Sequence, residues 1–342
     1  MKAYDVVIVG AGPAGMSCAE KLSETNLTTL LLEKNNEPGH KICAGGITRK
    51  GIELLNIPDE IVEQKVNSFV LHSPHFTNEK VWPGDIAFTV NRLNFGQWQL
   101  ERLKNSNIHY QPNTRVTHVK KDRIITDNNE EIKFKYLVGA DGALSIVRKY
   151  LDLPVEKVLT TIQYIIPNEN VKPQLEIFLD SKYFHSWYAW IFPHKNSIAV
   201  GACCHAKWLS GKKLKYNFHQ WLNRNNIDIA KATYQSYPIS YDYRGLEFGN
   251  IFLAGEAAGM ASGLTGEGIY QSMVSGEVVA KMIKGDADYH GMLANILQYN
   301  HFQHKFMNIS QKIGPLRNML HDAIILLMKS KSVNKRITEY FL

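Results

Sequence analysis

The chain has 342 residues, 44% of them hydrophobic, enough for one large domain or two interleaved ones with a substantial core, and this excludes global disorder. Thirty-nine Lys and Arg against 32 Asp and Glu leave a net charge of +7, which suits an anionic ligand or a membrane surface but falls short of the basic stripe that nucleic acid requires. Cys18, Cys43, Cys203 and Cys204 have neither zinc-ligand spacing nor disulfide-scaffold density, and no apolar run is long enough for a membrane span; the expectation is a cytoplasmic protein without a metal site.

The first strand is reached at once, with no charged and apolar leader before it. Residues 6–9, Val-Val-Ile-Val, form a continuous β-branched run, the pattern of a strand buried on both faces of a parallel sheet. Gly10-Ala11-Gly12-Pro13-Ala14-Gly15 follows directly, a GxGxxG turn in the strand-to-helix context of dinucleotide sites. Gly10 permits the tight turn, Gly12 lets the backbone approach a pyrophosphate, and Gly15 lets a helix over 13–23 pack closely on the strand. Pro13 and Ala14 open that helix, whose N-terminus attracts negative charge. A second buried strand over 28–32 ends in Glu33, spaced from the glycines to accept hydrogen bonds from a ribose, with Lys34 beside it. An adenine dinucleotide is expected here, and a carboxylate at 33 disfavours a 2′-phosphate, which leaves FAD and NAD.

Residues 135–142 read as another strand, ending in the glycine-flanked Asp141 and leading into a helix. Strands over 175–179, 183–192 and 197–203 alternate, with a turn at 194–196. In the middle one, Tyr188, Trp190 and Phe192 point to one face, and Trp187, Ala189 and Ile191 to the other. Residues 249–259 repeat the strand-to-acid pattern and carry Glu256 in Gly-Glu-Ala-Ala-Gly. The glycines of 263–268 then lead into a small-residue helix over 270–282; Gly266 and Gly268 before it would let backbone N–H groups reach a ligand, with Gly268 and Ile269 expected at the cofactor. Residues 291–342 read as helices interrupted near Gly314-Pro315, with an apolar run at 323–328 followed by Lys329, Lys331, Lys335 and Arg336. That tail is either a docked helix with solvated lysines or a peripheral contact with anionic lipid.

In order and separation, the glycine turn at 10–15, the GADG of 139–142 and the GEAAG of 255–259 resemble the three FAD fingerprints of the para-hydroxybenzoate hydroxylase superfamily. The resemblance covers most of residues 1–290 and implies FAD as the cofactor. It implies an α/β fold with a Rossmann-like, GR2-type FAD-binding domain, an interleaved antiparallel β-sheet substrate domain and a short C-terminal helical segment. The FAD-binding domain would be discontinuous over 1–68, 93–150 and 245–290; the substrate domain would take 69–92 and 151–244; and 291–342 would form the C-terminal helices. Gly10, Gly12 and Gly15 would hold the pyrophosphate, with Asp141 near it, and Glu33 the adenosine ribose. Glu256, where the family carries Asp, would lie near the ribityl chain.

Two stretches resemble the geranylgeranyl reductase branch of that superfamily. Cys43-Ala44-Gly45-Gly46 is similar to its Cys-x-x-Gly loop, in which Ala44 and Gly46 would contact the cofactor and Cys43 would face the isoalloxazine. Tyr188-Ala189-Trp190-Ile191-Phe192-Pro193 is similar to its YxWxFP signature, in which Tyr188, Trp190 and Phe192 would line an apolar substrate channel. Residues 92–100 resemble the family's RxxFDxxL element, with Gly96 in place of Asp, and would bring Arg92 to the cofactor, while Val116 aligns with a cofactor-contacting position in the following strand. Each has a bland alternative: a buried thiol, an aromatic sheet core, a solvated helix arginine.

The resemblance implies an FAD-dependent oxidoreductase that reduces isoprenoid double bonds, geranylgeranyl or polyprenyl, by hydride transfer from reduced FAD, with Cys43 as the catalytic proton donor. No second complete GxGxxG unit is present, so electrons would come from a transiently docked NAD(P)H or a protein donor. Two rivals stay open: an FAD-dependent monooxygenase of an aromatic or prenylated substrate, and a non-catalytic prenyl-lipid-binding flavoprotein. The expected partners are an apolar small-molecule substrate and an electron donor, with no nucleic acid and with peripheral contact at the inner face of the membrane as an option.

Overall fold

The β-branched run ahead of Gly10 becomes a central strand. In a computed structural model that describes residues 1–104 and 106–328, Lys2–Val9 pairs in parallel with Thr29–Leu32 on one side and Glu131–Gly139 on the other. Ile251–Leu253 and Ile108–Gln111 extend the parallel sheet outwards, and Glu247–Phe248 closes one edge in antiparallel fashion. The hairpin of Val116–Val119 and Arg123–Thr126 branches off Glu131–Gly139. Val6, Val7 and Ile8 are fully buried, as a doubly covered parallel strand requires.

Register explains why three distant motifs meet. Val9, Leu32, Gly139 and Leu253 stand in one row across four parallel strands, so the residues that follow each of them leave the sheet side by side at its carboxyl edge. Gly10, Glu33, Ala140 and Ala254 are those residues. The helices Pro13–Leu22 and Ile269–Lys284 cover this sheet and approach each other closely, because Gly276 has no Cβ to meet the Ala14 carbonyl oxygen, which would be 2.1 Å away.

The chain forms two compact units, the first from residues 1–41, 92–157 and 239–300, the second from 42–91, 158–238 and everything described from 301 onward. This differs from the expected boundaries at 42–68 and in the C-terminal helices, and residues 151–157 and 239–244, expected in the substrate domain, fall in the first unit. Residues 42–68 belong to the second unit, because Gly46–Thr48 and Val62–Val66 both pair with Ala87–Val90 in a three-stranded sheet. The C-terminal helices do not stand apart either: Asn300 donates to the Met260 carbonyl in the first unit, whereas Ile325 packs on Leu71 in the second.

The second unit is built on a seven-stranded sheet in the order Thr233–Ser240, Val158–Pro167, Ser197–His205, Ala189–Pro193, Gln174–Phe178, Ser68–His72 and Thr77–Val81. The helix Gly211–Arg224 covers one face with Phe218 and Trp221, which meet Tyr164, Phe178 and Phe184. The opposite face carries Gln163, Gly201, Trp190, Ile177 and Leu71 in one row across five strands. The strand expected over 183–192 is shorter. Asp180 caps a helical turn, Ser181–Phe184, by accepting a hydrogen bond from the Lys182 N–H, and His185 leaves it at φ +57°, so pairing starts only at Ala189.

Candidate active site

In the first unit, Gly10 turns at φ +102°, and a Cβ there would stand 2.5 Å from the Ala140 carbonyl oxygen. A Cβ on Gly15 would come within 1.9 Å of the Gly10 oxygen. Both glycines are therefore demanded by the protein itself. Gly12 is different: a Cβ there would meet no protein atom within 4 Å, so the space beside it is open. Pro13 and Ala14 follow as the first residues of a helix whose N-terminus no side chain caps. The Glu33 carboxylate is buried and accepts from the Ala11 N–H at 3.0 Å, and from the Asn35 backbone and side-chain amides at 3.0 and 2.8 Å. It is thus aimed at the glycine turn, while Lys34 beside it is exposed.

Asp141 and Glu256 flank the same carboxyl edge. Asp141 accepts from the Ile146 N–H at 2.7 Å through one oxygen, and its other oxygen is buried without a partner. Burial pushes its carboxyl up from the ordinary aspartate value, against the hydrogen bonds from Ser145 and Ile146. Glu256 is buried, bonds Lys41 through Oε1, and leaves Oε2 buried without a partner. A Cβ on Gly268 would stand 3.5 Å from that Oε1, which places Gly268 and Ile269, at the uncapped N-terminus of Ile269–Lys284, next to the carboxylate.

Sequence reasoning missed Lys41, and it missed the clamp beneath the turn. Arg148, only 1% exposed, donates to the carbonyls of Ala257, Pro154 and Asp242 at 3.2, 2.6 and 2.8 Å. The Asp242 carboxylate is fully buried; burial pushes it up, but the Glu156 N–H and Arg244 outweigh that and hold it below the usual range. Arg92 opens the helix Arg92–Glu101 with its guanidinium over the Phe95 ring, 5.2 Å from the centroid. Gly96, where the family motif has Asp, has a reason: a Cβ there would lie 2.9 Å from the Pro38 carbonyl. Val116 is buried in the core of the first unit.

In the second unit the loop 43–46 is held carbonyl by carbonyl. Cys43 O accepts from Gln163 Nε2 at 3.2 Å, Ala44 O from His194 Nε2 at 3.0 Å and Gly45 O from the Val90 N–H at 3.0 Å. The Cys43 thiol accepts from the Gly45 N–H at 3.4 Å. Gly46 lies on the Phe192 ring, where a Cβ would be 2.7 Å away, and the Trp190 indole lies on Gly201 in the same manner at 2.2 Å. Tyr188, Trp190 and Phe192 succeed one another with ring centroids 6.2 and 6.5 Å apart. Gln163 and Trp190 share one row of the sheet, so the thiol loop is tied to the face that carries this aromatic series.

The chain belongs to the family described as FAD binding domain, which matches residues 92–294; the family described as pyridine nucleotide-disulphide oxidoreductase matches residues 4–170. Digeranylgeranylglycerophospholipid reductase 2 of Methanopyrus kandleri is 29% identical over 83% of this chain and 78% of its own length. Geranylgeranyl diphosphate reductase of Rhodobacter capsulatus is 24% identical over 98% of this chain and 93% of its own. The crystal structure of a geranylgeranyl bacteriochlorophyll reductase-like protein from Thermoplasma acidophilum shares the fold with a TM-score of 0.79, covering 100% of this chain and 97% of its own at 18% identity. The protein is an FAD-dependent oxidoreductase similar to the geranylgeranyl reductases. Its residues fit the cofactor: the open space at Gly12, the two uncapped helix starts, and the buried, unpartnered oxygens of Asp141 and Glu256 are what an anionic, hydroxyl-rich ligand would complete.

Proposed function

We propose that this protein reduces carbon–carbon double bonds of isoprenoid chains, with Cys43 as the proton donor. The observation that carries the reading is a thiol loop tied to an apolar aromatic sheet face, with Gly46 against Phe192 and Gln163 joining Cys43 to the row of Trp190. Gly10, Gly12, Gly15, Glu33, Asp141 and Glu256 would hold FAD, which when bound and reduced by NAD(P)H or a protein donor would supply the hydride. Tyr188, Trp190 and Phe192 orient the chain, whose burial stabilises by about 0.8 kcal/mol per methylene and needs few polar contacts. A trisubstituted alkene is hardly polarised, so it must be held at near-attack distance with a proton ready. The Cys43 thiol gives that proton from Sγ and takes one back from solvent.

Anaerobic mixing of the chemically reduced flavoprotein with a geranylgeranyl lipid tests the reading. Flavin reoxidation with a gain of two mass units per bond is the expected result. Cys43→Ala should keep its flavin and slow reoxidation by about a hundredfold or more. Flavin that stays reduced until oxygen enters would favour the monooxygenase reading instead.

A lipid substrate has to be collected from a bilayer, and no described helix is long and apolar enough to cross one. Peripheral contact is the reading we propose: Leu316, Met319 and Leu327 are 57, 66 and 56% exposed on and beside the helix Arg317–Leu327. The basic residues Lys329, Lys331, Lys335 and Arg336 follow in sequence and lie outside the described residues. Cosedimentation with anionic vesicles, absent with neutral ones and lost in high salt, is the expected outcome.

A further inference from the structure

We propose that Glu63 and His194 form a proton-dependent strut that positions the loop 43–46, making His194 a positioning residue for the thiol. The proposal rests on the reading of Cys43 as proton donor for its catalytic consequence, but not for its geometry. Both ring nitrogens of His194 face acceptors: Nε2 the Ala44 carbonyl at 3.0 Å, Nδ1 the Glu63 carboxylate in a short hydrogen bond. A carbonyl cannot donate, so Nε2 carries a proton. The Nδ1 contact then needs a second proton, either on the ring, as imidazolium against carboxylate, or on Glu63. A neutral imidazole and an ionised Glu63 together hold one proton too few to make both bonds. His194 and Glu63 side chains are only 11 and 24% exposed, so water poorly replaces a lost bond.

The strut bears on the loop directly. A Cβ on Gly45 would stand 2.9 Å from His194 Cε1 and 2.4 Å from the Val90 oxygen, so the loop is pressed against the ring as well as bonded to it. Of the three bonds that pin successive carbonyls, those from Gln163 and Val90 come from amide N–H groups that do not titrate; only the His194 bond is coupled to a titrating pair. The other titratable groups beside the strut are Cys43 in the loop, the exposed Lys195 next in the chain, and Lys65, two residues from Glu63 on its strand and bonded to Asp59 at 2.8 Å. When the pair loses its shared proton at alkaline pH, the one proton left on the ring goes to Nδ1, where the carboxylate is the stronger acceptor; Nε2 then faces the Ala44 carbonyl with nothing to donate, and the loop loses its middle pin.

Glu63→Gln separates this from passive packing. An amide at 63 donates to Nδ1 while Nε2–H still serves Ala44, so a neutral imidazole suffices and the extra proton is no longer needed. The expected result is that the alkaline fall of kcat moves up by a pH unit or more in Glu63→Gln, whatever its rate at neutral pH. His194→Phe should lower kcat by about tenfold or more with KM for the lipid unchanged and flavin retained, and His194→Gln should recover part of it. Hydrogen exchange in a peptide covering 42–47, corrected for intrinsic rates, should rise in His194→Phe. An alkaline limb that coincides in Glu63→Gln and the parent protein would overturn the proposal, as would unchanged exchange in His194→Phe. If exchange and pH profile behave as stated while Cys43→Ala reduces lipid at the full rate, the strut stands and the reading of the thiol fails.

Discussion

Three glycines of one motif do two different jobs, which the space around each one separates. Gly15 is fixed by the protein: an added methyl would overlap the Gly10 carbonyl oxygen at 1.9 Å, backbone that cannot swing aside, and would meet the Ala140 Cβ at 3.4 Å. Gly12 is fixed by nothing in the protein, since no atom lies within 4 Å of the added Cβ. Gly12→Ala should therefore fold with a melting temperature within a few degrees of the flavin-stripped parent, because substitutions that disturb no packing stay within about 0.5 kcal/mol and the bound cofactor itself stabilises the parent. It should nevertheless purify with little flavin. Gly15→Ala should lose stability by about 1–3 kcal/mol or more from overpacking. Flavin absorbance per protein and a thermal melt read the two effects apart, and a fully flavinated Gly12→Ala would mean that the open space is not the cofactor's. The same residue scale accounts for Gly96, where the Pro38 carbonyl fills the place a longer side chain would need.

The cradle is a consequence of four strands ending in one row, and the sequence shows this because doubly buried parallel strands read as unbroken apolar runs that stop at a glycine or an acid. The helices at 13 and 269 are legible for the same reason. What pairs with what is not. Lys41 lies 215 residues from Glu256, Arg148 lies 94 from Asp242, and Glu63 lies 131 from His194, and no local pattern links them. The division of the chain was also illegible at 42–68, because those short strands pair with Ala87–Val90 rather than with their neighbours in sequence. Alternation misled at 183–187, where the Asp180 cap outcompetes strand pairing over a few residues. The Arg148 clamp holds the turn after Ile251–Leu253 to the helix Ile146–Tyr150 through backbone carbonyls. Arg148→Met leaves those three carbonyls without their fork of donors, while Arg244 and the Glu156 N–H still serve the Asp242 carboxylate, and should cost about 3 kcal/mol or more at roughly 1–3 kcal/mol per orphaned carbonyl, read as a lower denaturation midpoint. Arg148→Lys should recover only part of it, since a single ammonium cannot reach three carbonyls in a fixed plane.

At the scale of the whole molecule, the surplus of positive charge and the second unit's buried histidines both set how the protein meets acid. His321 is 3% exposed, and burial, with the Arg317 charge beside it, depresses its imidazole to about 4; His185, half-buried, is likewise depressed to about 4 by burial and Arg317. An unfolded histidine titrates near 6.5, so the unfolded chain takes up these protons first. Stability is therefore complete above about pH 6.5, falls as the pH drops below it, and has lost the whole contribution once the pH passes the folded value of about 4. For His321 the difference amounts to about 3 kcal/mol, and for the more exposed His185 to less. Carboxylates such as Asp242 and Asp322, held below their usual range, give way only at lower pH, whereas Asp141, pushed up by burial, works in the opposite sense to the depressed histidines, so His321 is read as the difference between the parent and a variant lacking it. His321→Leu removes a group whose Nδ1 is buried without a partner, and it should flatten the fall of melting temperature from pH 6.5 to 5 relative to the parent while leaving the lower-pH collapse in place. A parent protein whose melting temperature runs parallel to that of His321→Leu from pH 6.5 to 5 would show that the imidazole is already solvated in the folded state.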